Sequence, residues 1–138
     1  MSQPSFNPNG HKNIYDGHCH CHAVHFRAAF PHPIHASSSS PEAELQEVFR
    51  CNCSICERNG YLLIYPREED LEVTAGKDKL KEYRCHSKTR PHLFCSECGS
   101  SVMIEQKPWK QFAVNLRMLD GVELEKLKFT ELDGKNDQ

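Results

Sequence analysis

The chain has 138 residues, 38% of them hydrophobic, a formal net charge of −2 and a mean hydropathy of −0.67. That length suits one domain with a thin core, so bound metal would supply folding free energy that the core lacks. The near-neutral charge gives no basic face for a nucleic-acid partner, and no apolar run nears the roughly 20 residues needed to cross a bilayer.

Residues 1–16 hold no periodic apolar pattern and read as a flexible N-terminal tail. Its first ten residues are polar, with two prolines and no apolar stretch of the kind that opens a secretory leader. Residues 17–30 read as extended. His18-Cys19-His20-Cys21-His22 alternates, so a strand here would carry Cys19 and Cys21 on one face and the three histidines on the other. Val24 and Phe26 continue the alternation. Residues 37–40, all serine, precede Pro41 and make a low-complexity loop. Val48 and Phe49 suit a strand that delivers Cys51 and Cys53, although with Leu45 they would also fit a helical face. Residues 57–60 read as a polar turn, 61–65 as a short buried strand, and the run Glu68-Glu69-Asp70 as a solvated turn. Leu71 and Val73 alternate with polar residues before a turn at Ala75-Gly76. The mixed charges of residues 77–84 make no phosphate or nucleic-acid patch. Leu93-Phe94, Val102-Met103-Ile104 and the alternating Phe112, Val114 and Leu116 complete the strands, and Asp120-Gly121 marks a turn. Short strands between turn signals predict a mainly β domain over residues 17–132, with 133–138 as a polar C-terminal tail.

Seven of the eight cysteines fall into three clusters: Cys19-His20-Cys21, Cys51-Asn52-Cys53-Ser54-Ile55-Cys56 and Cys95-Ser96-Glu97-Cys98-Gly99. Thiolates one or two residues apart can reach one ion from a single turn of backbone. A closed tetrahedral zinc site takes four of them, and a catalytic site keeps one position open. Two pairs close one site and the group of three leaves a position over, which points to one structural and one catalytic zinc. An even cysteine count also fits a disulfide framework, but bridges at the Cys19–Cys21 or Cys51–Cys53 spacing would be strained. Iron is the other metal that suits soft thiolates. The expected compartment is reducing, cytoplasmic or nuclear.

The order C-x-C, C-x-C-x-x-C, F-C-x-x-C-G and V-N-[VL]-R-x-L-D-G resembles the glutathione-dependent formaldehyde-activating enzyme family, which also includes centromere protein V. The matching segments are Gly17-His18-Cys19-His20-Cys21, Cys51 to Cys56, Phe94 to Gly99 and Val114-Asn115-Leu116-Arg117-Met118-Leu119-Asp120-Gly121. The resemblance implies a β-tent of antiparallel sheets clamped by a structural zinc on Cys19, Cys21, Cys95 and Cys98. It implies a second, catalytic zinc on Cys51, Cys53 and Cys56, subject to partial loading. The partners it implies are glutathione and an aldehyde, formaldehyde in the family reaction, with S-hydroxymethylglutathione as product of a carbon–sulfur lyase or synthase. One departure stands out: the family has glycine just after the first C-x-C, where a positive φ is accessible, and this chain has His22.

Zinc with three thiolates is a poor Lewis acid, so capture of a small thiol as fourth ligand is the expected chemistry. Glu57, His86 and His92 are candidates for the proton-transfer group. The contrary reading is a closed structural site, with Cys85, or behind it His86 or His92, as fourth ligand. The chain would then be a non-catalytic zinc-stapled protein-interaction module. A lone cysteine such as Cys85 is more often a small buried hydrophobe. His18, His20, His22 and His25 could form a metal stripe, but a solvated strand face is the simpler expectation. Trp109 and Phe112 read as core or rim residues before pocket residues.

Overall fold

A computed structural model describes residues 11, 13–35, 44–84 and 90–135. The serine loop at 37–41 and the candidate ligands Cys85 and His86 lie outside the described residues.

The fold is mainly β, as the sequence predicts, and consists of two sheets. Strands β1 (Asn13–His18), β2 (His25–Phe30) and β5 (Leu71–Ala75) form an antiparallel three-stranded sheet in the order β1-β2-β5. The other strands are β3 (Val48–Cys51), β4 (Leu63–Ile64), β6 (Leu80–Tyr83), β7 (His92–Cys95), β8 (Ser101–Gln106), β9 (Gln111–Asn115) and β10 (Phe129–Leu132). They form a seven-stranded sheet in the order β10-β3-β4-β9-β8-β7-β6. Only β10 against β3 runs parallel within it, Phe129 opposite Val48 and Leu132 opposite Cys51.

The centre of the larger sheet, at β4, β8 and β9, is buried on both faces. Its side chains alternate with a period of two, and each face meets a different apolar cluster. Ile64, Met103 and Val114 join the main core with Phe26, Phe30, Val48 and Leu116. Leu63, Ile104 and Ala113 point the other way, into a smaller cluster with Tyr61 and Cys56. This explains why residues 61–65 read as an unbroken apolar run: a strand covered on both faces has no polar side.

Several short segments depart from the sequence expectation. Strand β1 starts at Asn13, inside the stretch expected as tail. Its pairing with β2 and the bond from the Ile34 N–H to Tyr15 Oη at 3.0 Å hold what an irregular pattern does not advertise. The segment 17–30 is not one strand but a hairpin, and Cys19 and Cys21 sit in its turn, closed by Cys19 N–H to Val24 O at 3.1 Å and His22 N–H to Cys19 O at 3.1 Å. Residues 54–59 form a six-residue helix, α1 (Ser54–Asn59), in place of a polar turn at 57–60. Gly60 ends it in the left-handed conformation, φ 65°, as a C-terminal cap requires. Asp70 is not solvated: it is 1% exposed and lies 3.3 Å from His11 Nδ1. Asp133 to Lys135, expected as tail, fold back on Asn52, with Asn52 Nδ2 donating to Asp133 Oδ1 and the Lys135 N–H to Asn52 Oδ1, both at 2.9 Å. No helix among the described residues is long and apolar enough to cross a membrane.

Candidate metal centres

Cys19, Cys21, Cys95 and Cys98 converge, with their four sulfurs within 4.8 Å of one another. Cys19 and Cys21 come from the β1–β2 turn, Cys95 from the end of β7 and Cys98 from the turn into β8. The cluster therefore joins the two sheets, across 74 residues of sequence between Cys21 and Cys95. Backbone N–H groups point at the sulfurs, from Val24 to Cys19 Sγ and from Glu97 to Cys95 Sγ, each at 3.3 Å. The His20 N–H donates to Ser100 Oγ at 3.1 Å and ties one knuckle to the other.

The spacing tests the donor set. Thiolates about 2.3 Å from a tetrahedral zinc lie about 3.8 Å apart, whereas a disulfide would bring them to about 2.05 Å. Cys19 and Cys21 are 3.7 Å apart, and Cys21 and Cys95 are 3.8 Å apart. All seven described cysteines are free thiols. These four fit a tetrahedral ion and not a pair of bridges. The thiols also compete for protons. The Ser100 hydroxyl, 3.3 Å away, leads the effects that hold Cys98 down to about 5. Cys21 meets the Ala23 N–H, which favours thiolate, yet desolvation and the sulfurs of Cys19, Cys98 and Cys95 push it up to about 12.

Cys51, Cys53 and Cys56 form the second group, again with sulfurs within 4.8 Å of one another. Cys51 ends β3, Cys53 takes the N-cap position of α1, and Cys56 is buried inside the helix at 6% exposure. The short helix thus does what a strand could not: it turns the third thiol back on the first two. No other Cys, His, Asp or Glu among the described residues completes the group. Burial pushes the Cys56 thiol up, an effect its two neighbours reinforce. Burial also opposes ionisation of Cys53, but hydrogen bonds from the backbone of Cys56 and Ile55 and from the other two sulfurs outweigh it, and Cys53 lies below the usual thiol value. Tyr65, packed edge-on to Phe49, is pushed up to about 12, by burial first and then by the three sulfurs.

A cleft of about 640 Å³ opens beside this group, with Cys51, Cys56, Glu57, Tyr61, Arg117 and Phe129 in its wall. Of the proton-transfer candidates, Glu57 lines this cleft. His92 is buried, with Nδ1 3.1 Å from Tyr61 Oη, and does not join the sulfurs. The pairing of His92 with Tyr61, the place of Arg117 in the cleft wall and the C-terminal segment against Cys51 are not legible in the sequence, because each is set by contacts far along the chain.

The histidines are arranged by the hairpin, not by a strand face. His18 and His25 are a cross-strand pair, and His22, in the turn, stacks on His18 with ring centroids 3.8 Å apart. His18 is anchored by Cys19 O at 2.7 Å and by Asp120 Oδ1 at 3.1 Å. Trp109 is a rim residue, 57% exposed under the Arg90 guanidinium, and Phe112 packs against the main core.

Comparison with known proteins places the chain in a family. The family described as glutathione-dependent formaldehyde-activating enzyme matches residues 14–130. A Halomonas elongata protein provisionally named for the same activity is 29% identical over 106 residues, which cover 71% of this chain and 60% of that relative. A solved Rhodobacter sphaeroides protein, a structural genomics target, superposes with a TM-score of 0.64 at 28% identity, covering 83% of this chain and 99% of the other. With both cysteine groups inside the matched span, the chain belongs to the glutathione-dependent formaldehyde-activating enzyme family.

Proposed function

We propose that the chain is a zinc-dependent carbon–sulfur lyase or synthase that makes or breaks S-hydroxymethylglutathione. In this reading the fold is a β-tent whose two sheets are clamped by a structural zinc on Cys19, Cys21, Cys95 and Cys98. Cys51, Cys53 and Cys56 hold a second ion. One observation carries the proposal: three thiols converge, two of them, Cys51 and Cys56, on the wall of a cleft, and no further ligand among the described residues completes them. An ion held there favours the thiolate form of a fourth sulfur ligand. In the synthetic direction the substrate sulfur forms a bond to the aldehyde carbon. The carbonyl electron pair moves to oxygen, which takes up the proton the thiol gives up. The chain's own part is to orient: α1 and β3 fix the cysteines, the apolar cluster of Tyr61, Leu63, Ile104 and Ala113 backs them, and the cleft holds the thiol so that the aldehyde meets sulfur at short range.

The test is zinc per chain on protein purified without chelator, before and after glutathione, alongside glutathione-dependent consumption of formaldehyde. Two zinc ions, one of them perturbed by glutathione, are expected. Cys53→Ser should lose one ion and all turnover while keeping its circular dichroism. Full activity in that variant would sink the proposal. Two ions indifferent to glutathione would instead favour a zinc-stapled binding module.

A further inference from the structure

The cleft beside the three cysteines carries more information than its volume. Two arginines stand in its wall, and they differ. Arg50 is already satisfied: it pairs with Glu131, with Nε 2.9 Å from Oε1, and lies over the Phe129 ring at 5.4 Å. Arg117 is held from behind. Its Nε donates to Gly60 O at 2.8 Å and its own N–H is fixed by Asn115 Oδ1 at 3.2 Å, yet no carboxylate among the described residues pairs with its guanidinium. Gly60 is the cap of α1, four residues beyond Cys56, so the bond sets the guanidinium at a defined position relative to the thiols. An anchored, planar donor set with no carboxylate of its own is pre-organised for a bidentate carboxylate. Glu57 and Glu125 on the same wall add negative charge nearby, which suits an occupant carrying both an ammonium and a carboxylate over one that is purely anionic.

We infer that Arg117 binds a carboxylate of the thiol substrate and so selects amino-acid or peptide thiols over simple thiols. This rests on the function proposed above, since it takes the three-cysteine cleft as the place where a thiol binds. The role is in recognition, not in the bond-forming step.

Calorimetric titration of the zinc-loaded protein separates the two ideas. The probes are glutathione and 2-mercaptoethanol, which share a thiol and differ in carboxylates. Arg117→Gln is expected to weaken glutathione binding about ten- to a hundredfold, the usual worth of a hydrogen bond to a charged group. The same change should leave 2-mercaptoethanol binding where it was. Arg117→Lys, which keeps the charge and gives up the Gly60 bond, should recover part of the loss. Arg27→Gln, on β2 and paired with Asp16, controls for general electrostatics and should change neither. If Arg117→Gln leaves glutathione affinity intact, or weakens both thiols equally, the role given to Arg117 is wrong while thiol binding at the cleft survives. If the unaltered protein binds neither thiol, both readings fall.

Discussion

His22 occupies the left-handed region, φ 68°, at the position where the family resemblance implies glycine. A residue with a Cβ gives up roughly 1–2 kcal/mol there. Stacking on His18, itself anchored by Asp120, offsets part of this. His22→Gly removes both the strain and the stacking, so its stability should stay within about 0.5 kcal/mol of the parent. His22→Val keeps the strain, adds branching at Cβ and loses the ring. Its melting temperature should lie about 3–7 °C below that of the glycine variant, from the cost of the left-handed conformation. Thermal unfolding of the zinc-loaded proteins decides it: a valine variant as stable as the glycine variant would mean the turn is not strained. The positive φ was suggested by the family resemblance alone, since this chain carries histidine where glycine would have marked it locally. The burial of Asp70 was not legible at all. Its partner, His11, lies 59 positions earlier, and no local pattern marks such a pairing.

At the scale of elements, the strands that bury one or both faces were readable and the short connecting pieces were not. A six-residue helix spans too few turns to show a 3.6-residue period, so α1 passed for a turn. The C-terminal segment passed for a tail because its residues are polar. Its place is set by parallel pairing of β10 with β3 and by Asn52, whose backbone N–H also donates to Leu132 O at 3.1 Å. That segment packs against Cys51 and Cys53. A Cβ on Gly134 would come within 2.5 Å of Cys51 Sγ and 3.2 Å of Cys53 Cβ, so only glycine fits. Gly134→Ala must therefore shift either the segment or Cys51. The expected result is about a tenfold weaker hold on the ion at Cys51, Cys53 and Cys56, the scale of perturbations just outside a ligand shell. The four-cysteine site should be unaffected. Stepwise zinc release to a chromophoric chelator reads both sites, and an unchanged weaker phase would show that the segment does not press on Cys51.

For the whole molecule, the proposed function gives the two cysteine groups different work, in keeping with their places on different cores. Cys19 and Cys95 are fully buried in the main core and join the hairpin of the small sheet to the β7–β8 turn of the large one. Cys56 belongs to the cluster on the opposite face of the large sheet. Spacing alone announced the groups but could not pair the distant doublets; that pairing came with the family resemblance, since sulfurs brought together across 74 residues leave no local trace. Closing a loop of that length restricts the unfolded chain by about 4 kcal/mol, if a metal clip acts as a disulfide does. Cys98→Ser should therefore lower the melting temperature by about 10–15 °C for a chain of this size. Cys53→Ser, which opens only a short local loop, should move it by a few degrees at most. Because the sites share no side chains and lie on opposite faces of one sheet, the double variant should show the sum of the two shifts. Thermal unfolding of the three variants, each with its zinc content measured, tests this directly. Equal losses from Cys98→Ser and Cys53→Ser would mean that both ions hold the fold together, and the division into a clamp and an open site would have to be given up.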